Sequence, residues 1–100
     1  MKKNKPLLLL VEDDPQLRSL LMTIFENQEY CVLTASTGRE ALITAREHYP
    51  DIVILDLGLP DIDGQELIKR FRLWTALPII ILSARNQEQD IVLALNHGAD

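Results

Sequence analysis

The chain is short of cysteine: Cys31 is the one thiol in 100 residues. A lone thiol excludes an internal disulfide and suits a reducing compartment. Cys31 stands among apolar residues and reads as a small buried hydrophobe. Long apolar runs are missing too, and none approaches the ~18 residues of a membrane span. The opening MKKNK followed by PLLLLV has the look of a secretory leader. Glu12 interrupts it before the ~7–15 apolar residues such a segment needs, so a cytoplasmic protein with no membrane partner is expected. Clustered bases are also absent, because Lys and Arg are scattered apart from Lys2, Lys3 and Lys5, and fifteen acids against ten bases leave a net charge of -5. A phosphate-binding surface needs concentrated positive charge, so direct nucleic-acid binding by this segment is not expected. What is present, 47% hydrophobic and 25% charged residues, fits a single small globular domain with one core.

One alternation repeats four times along the chain. Leu7–Val11 is a short apolar run without helical period. Behind Asp14 and Pro15, the residues Leu17, Leu20, Leu21, Ile24 and Phe25 lie on one face of an amphipathic helix. Asp14 is placed as the N-cap and Pro15 as the first helical residue. A second β-prone run covers 30–34, and Thr37-Gly-Arg-Glu40 has the form of a capping box opening a helix with Ala41, Leu42 and Ala45 inward. Ile52–Leu55 is a β-branched third strand ended by Asp56. A third helix follows Asp63 and Gly64 and turns Leu67, Ile68 and Phe71 inward. Pro78 begins a fourth strand, 79–82, after which Asn86 is expected to cap a last helix stopping at Gly98.

Solidly apolar strands are buried on both faces, and strands alternating with helices imply parallel crossovers. The expected fold is an open, doubly wound α/β parallel sheet with helices on both sides. Ligands in such sheets bind beyond the carboxyl ends of the strands. Glu12, Asp13 and Asp14 follow the first strand, Asp56 to Gly64 the third, and Ser83 to Arg85 the fourth. Two carboxylates about 4 Å apart repel by roughly 4 kcal/mol at an effective dielectric near 20. A divalent cation removes that repulsion, and an all-oxygen site with room for water suits Mg²⁺. Asp14 is accounted for by capping, which leaves Glu12, Asp13 and Asp56 for the metal. A carboxylate beside a metal can also act as a nucleophile toward a phosphoryl group. Asp56 is the candidate because it ends the central strand and is followed by Gly58, Pro60 and Gly64, residues that let a backbone approach a ligand. Ser83 could donate its hydroxyl to a phosphoryl oxygen, or serve only as a helix-entry serine.

In order and spacing, LLLLVEDDPQLRSLL, DIVILDLGLPDIDG and LPIIILSARN resemble the receiver domain of bacterial two-component response regulators. The resemblance covers nearly the whole chain. Within the family, DLGLPDIDG followed by LWTALPIIILSAR is similar to the Kdp-type branch, which controls potassium uptake. The resemblance implies a flavodoxin-like receiver over 1–100, with Asp56 as phospho-acceptor, Asp13 as a direct Mg²⁺ ligand and Glu12 acting through water. It also implies a Gly58 backbone carbonyl on the metal and Ser83 as the switch hydroxyl. The implied partner is a sensor histidine kinase, which phosphorylates the acceptor. The domain is then a signalling switch with slow self-dephosphorylation rather than an enzyme in the usual sense. Receiver homodimerisation and a DNA-binding output belong, on the same resemblance, to a full-length protein.

The family pattern continues into a fifth strand carrying a lysine and then a fifth helix, whereas this sequence ends at Asp100. About four of five βα units are therefore expected, with 79–82 as an exposed apolar edge prone to self-association. An Asp-nucleophile phosphatase is a weaker fit, since its second Asp two positions on is Gly58 here. A phosphorylation-independent pseudo-receiver would not need Glu12, Asp13, Asp56 and Ser83 together. A nucleotide or flavin module would need a Gly-rich or hydroxyl-rich turn where this chain has three acids. His48 and His97 read as helix-end residues, Phe71 and Trp74 as packing, and Arg85 as a loop residue or a phosphoryl contact.

Overall fold

The computed structural model describes residues 5–56, 58–83 and 92–95. Their elements are β1 (Leu7–Val11), α1 (Pro15–Asn27), β2 (Cys31–Ala35), α2 (Gly38–His48), β3 (Ile52–Asp56), α3 (Gly64–Arg72), β4 (Ile79–Ser83) and β5 (Val92–Leu95). The sheet order is β2-β1-β3-β4-β5. The first four strands pair in parallel, as the βα alternation requires. The chain is thus a doubly wound α/β domain.

Side chains on a strand alternate between its two faces, and the core divides accordingly. Leu9, Val11, Val53, Leu55, Ile79 and Ile81 pack under Ala41 and Ala45 of α2 and Leu67, Ile68 and Phe71 of α3. Leu8, Leu10, Ile54 and Leu82 form the other face with Leu21 of α1. Each large side chain removed fully from water contributes about 1.5–3 kcal/mol. Leu9, Val11, Val53 and Leu55 are all 0% exposed, which fixes β1 and β3 as the rigid centre of the sheet. The helix starts are also sequence-encoded. Asp14 Oδ1 accepts the N–H groups of Gln16 and Leu17, and Thr37 Oγ1 accepts that of Glu40. The expected capping box at α2 is displaced by one residue, because Glu40 Oε1 reaches back to the N–H of Ser36 rather than of Thr37.

Four expectations are corrected. Val92–Leu95 is a strand, not part of a helix, and runs antiparallel to β4 with Ser83 opposite Val92 and Ile80 opposite Leu95. A short apolar run has no period that separates helix from strand, and the free edge of β4 offers it a row of backbone donors and acceptors. For the same reason β4 is not an exposed edge, although the strand beside it is antiparallel and is not the parallel fifth strand of the family pattern. Cys31 is exposed, since it opens β2 at the outer edge of the sheet. On α1 the apolar face is narrower than its pattern: Leu20 and Ile24 remain 56% and 44% exposed, because α1 meets the sheet through Leu17, Leu21, Met22 and Phe25. The Asn86 cap and the Gly98 stop lie outside the described residues, as do Lys2, Lys3, Ala84, Arg85 and His97.

Candidate functional site

β1 and β3 are neighbours with Val11 opposite Leu55, so Glu12 and Asp56 leave the sheet side by side. One carboxylate oxygen each from Glu12, Asp13 and Asp56 lies within 4.8 Å of the other two. Asp13 is exposed and Asp56 half-buried, whereas Glu12 is only 4% exposed. Glu12 donates its N–H to Ala35 O at 3.0 Å, which extends the β1–β2 pairing by one residue. Burial pushes the Glu12 carboxyl up from 4.5 to about 7. The Asp14 N–H, at 3.1 Å from Oε2, opposes the shift, and repulsion from Asp56, Asp13 and Asp14 adds to it. Asp14 is held at the start of α1, which is why, of three consecutive acids, two gather with Asp56 and the third is a cap.

Asp56 Oδ2 accepts the Gly58 N–H at 3.2 Å. A methyl group at Gly58 would stand 3.6 Å from that oxygen, an ordinary contact, so this bond alone does not demand glycine. Asp56 pairs with Leu82 across β3 and β4, and Ser83 is therefore one residue further along the adjoining strand at the same edge. Leu57 and the Ser83 side chain lie outside what the structure describes.

Two residues that the sequence reading passed over hold this edge in place. Arg18 Nη1 donates to the carbonyls of Glu12 at 3.0 Å and Asp13 at 3.4 Å, tying the acidic turn to the first turns of α1. The spacing was available as a signal, because Arg18 stands four residues after the N-cap, on the side of the helix that faces the turn. Asp61 accepts the N–H groups of Gly38 at 2.8 Å and Arg39 at 3.0 Å. These backbone donors, Gly38 first, hold its carboxyl below the usual range. Ile62 packs against Gly38, where a Cβ would come within 3.1 Å of it. The loop after β3 is thereby fastened to the start of α2, and that start has every first-turn donor met. No local pattern announces a contact between residues 23 positions apart.

The donor set is entirely carboxylate oxygen, with one buried acid whose ionisation is opposed. Such a set fits a hard divalent cation and gives no soft or imidazole ligand among the described residues. His48 is exposed in the last turn of α2, with Nδ1 at 3.3 Å from Thr44 O, and takes no part. No helix among the described residues is long and apolar enough to cross a membrane.

Comparison with known proteins agrees with this geometry. The chain is 48% identical over 94 residues to the transcriptional regulatory protein KdpE of Mycobacterium tuberculosis, covering 94% of this chain and 42% of that protein. It is 47% identical over 92 residues to the KDP operon transcriptional regulatory protein KdpE of Escherichia coli, covering 92% and 41%. The chain thus spans about two fifths of the length of these curated relatives. Among solved structures, the response regulator TrrA of Thermotoga maritima, in complex with Mg²⁺-BeF, superposes with a TM-score of 0.77 at 34% identity, over 81% of this chain and 71% of that one. Residues 8–100 match the model of the response regulator receiver domain, and the chain belongs to that family.

Proposed function

We propose that the chain is a phosphorylation-dependent receiver in which Asp56 accepts a phosphoryl group from a phosphohistidine of a sensor kinase. The observation that carries this reading is the convergence of three carboxylate oxygens from the ends of two neighbouring strands, all within 4.8 Å. A carboxylate oxygen of Asp56 attacks phosphorus, the P–N bond breaks, and the imidazole leaves with the electron pair and takes up a proton. Water later attacks the phosphorus of the acyl phosphate, returning the carboxylate and inorganic phosphate. Glu12, Asp13, Asp56 and the Gly58 carbonyl would hold Mg²⁺, which when bound neutralises charge on the oxygens of the transferring group. Arg18 keeps the carbonyl side of the acidic turn fixed, which would hold the carboxylates in place to share the ion. Ser83 donates its hydroxyl to a phosphoryl oxygen and so reports the phosphorylated state. Slow self-dephosphorylation makes the domain a timed switch. The KdpE relatives support a transcriptional output at a Kdp-type operon, with receiver homodimerisation and DNA binding residing in the full-length protein.

Intact-mass measurement after incubation with acetyl phosphate tests the reading. One Mg²⁺-dependent phosphoryl adduct is expected on a chain extended through the family's lysine-bearing fifth strand and none on the same chain with Asp56→Asn. An adduct that survives the substitution removes Asp56 from its role. No adduct on that extended chain would favour an interaction module that works without phosphorylation.

A further inference from the structure

We propose that the groove between α2 and α3 is a docking surface for an acidic amphipathic helix of a partner protein. α2 spends Gly38, Ala41 and Ala45 on the core. Beside that face runs a second stripe, Arg39, Leu42, Ile43 and Arg46, at the i, i+3, i+4, i+7 spacing that lines up on a helix. α3 spends Gly64, Leu67, Ile68 and Phe71 on the core, and beside that face stand Glu66 and Arg70, continued by Leu73 and Trp74 just past the end of the helix. All of these flanking residues but Arg39 wall a groove of about 450 Å³. A second concavity of about 590 Å³, sharing Leu42 and Arg70, continues it toward Thr37 and Ile62. Glu12, Asp13 and Asp56 line neither concavity, so the inference stands apart from the phosphoryl site.

Three features select the occupant. The floor is apolar and open to water, with Ile43 52% and Leu73 85% exposed. A connected apolar strip with a polar rim marks an interaction surface rather than scattered surface residues. Two neighbouring helices leave a furrow matched to a third, the helix-in-groove mode of recognition. α2 has 11 residues, about 16 Å at 1.5 Å per residue, which accepts two to three turns of a docked helix.

The rim sets the charge of that helix. Arg39, Arg46 and Arg70 border the two concavities, a positive rim on a chain whose net charge is -5. Glu66 pairs with Arg70 at 3.3 Å and Asp61 keeps its charge on the N–H groups of Gly38 and Arg39, which leaves three guanidinium groups against two carboxylates and Arg46 with no carboxylate on it among the described residues. The Arg46 guanidinium is parked over the Trp74 ring, 5.0 Å from its centroid. Its planar fork is thereby pre-ordered for a carboxylate. Carboxylates flanking an apolar helical stripe meet all of these demands.

Trp74 is the chain's one tryptophan, so its emission reports occupancy directly. The probe is a 12-residue helical peptide free of aromatics, with Leu at i, i+3, i+4 and i+7 and Glu beside them, compared with its Lys-for-Glu counterpart. Titration of the 100-residue chain with the Glu peptide is expected to shift Trp74 emission saturably and in a salt-sensitive manner. Affinity should fall about tenfold or more in the double variant Arg46→Glu, Arg70→Glu. It should fall similarly in Leu73→Asp, whose site is too exposed to endanger folding. An unchanged emission, an equal response to the Lys peptide, or indifference to these substitutions overturns the proposal. So does concentration-dependent dimerisation abolished by Leu73→Asp, which would make a second copy of the chain the occupant.

Discussion

Glu12 and Asp61 are carboxylates on loops at the same edge of one sheet, yet their surroundings move them in opposite directions. Glu12 is buried with a single N–H on Oε2 and two acids in front of it, and its proton is held to about pH 7. Asp61 lies in water and accepts two backbone N–H groups at the start of α2, and its proton is released early. The difference teaches what each loop is for. One loop holds a buried acid against the repulsion of its neighbours, which a bound cation would relieve. The other has its charge already answered and serves as a fastening. Repulsion is stored where chemistry is proposed, and satisfaction is placed where the loop must stay still.

The largest test of this contrast neutralises Glu12. Between pH 4.5 and about 7 the folded chain holds the Glu12 proton more tightly than the unfolded chain does. This residue's contribution is therefore fully present below that window and is lost as pH rises through it, by about 3 kcal/mol in the metal-free protein. Urea midpoints at pH 5 and pH 8 without divalent ions should show Glu12→Gln more stable than the parent at the higher pH and no better at the lower. Added Mg²⁺ should stabilise the parent at pH 8 more than the variant. A parent with no such pH dependence relative to Glu12→Gln would remove the idea that burial governs this acid. The converse substitution, Asp61→Ala, leaves two α2 donors to water and should cost about 1–2 kcal/mol near neutral pH. Because the Asp61 carboxyl is lowered, its contribution is present above the ordinary carboxylate range and fades as pH falls through its folded value, the reverse of Glu12. Equal deficits at acid and neutral pH would show that packing of Ile62, and not the charge, fastens the loop. The smallest effect belongs to Asp14→Ala, about 1 kcal/mol from the lost cap, with the Mg²⁺ response retained. If that response vanished, Asp14 would have to be counted among the metal-site residues.

How much of this was legible in the sequence depended on the range of the interaction. The solid apolar runs of β1, β3 and β4 announce strands buried on both faces, and Asp14 and Thr37 announce helix starts, because their chemistry acts within four residues. The acid cluster was legible one step further away, since strands of a parallel sheet end at a common edge. Contacts set by strand order were not. Cys31 is exposed because β2 is an outer strand, which no period in CVLTA encodes. Val92–Leu95 is a strand because β4 offers it an edge, and the same apolar residues would suit a helix. Asp61 finds Gly38 only once α2 and α3 share a face of the sheet. The burial of Glu12, as opposed to that of Asp13, likewise depends on the β1–β2 pairing extending to Ala35.

The exposed start of β2 has a practical consequence. Cys31 is the single thiol of the chain, and it opens the five-residue strand whose far end, Ala35, lies at the edge that carries the acids, about 13 Å along the strand at 3.3 Å per step. A thiol-specific fluorophore placed there would sit at the opposite end of the sheet from the carboxylates and touch none of them. Trp74 supplies a native optical partner for it. The molecule therefore carries its own donor and attachment point for energy transfer, and distance changes on adding acetyl phosphate, Mg²⁺ or a helical peptide can be followed without altering a residue.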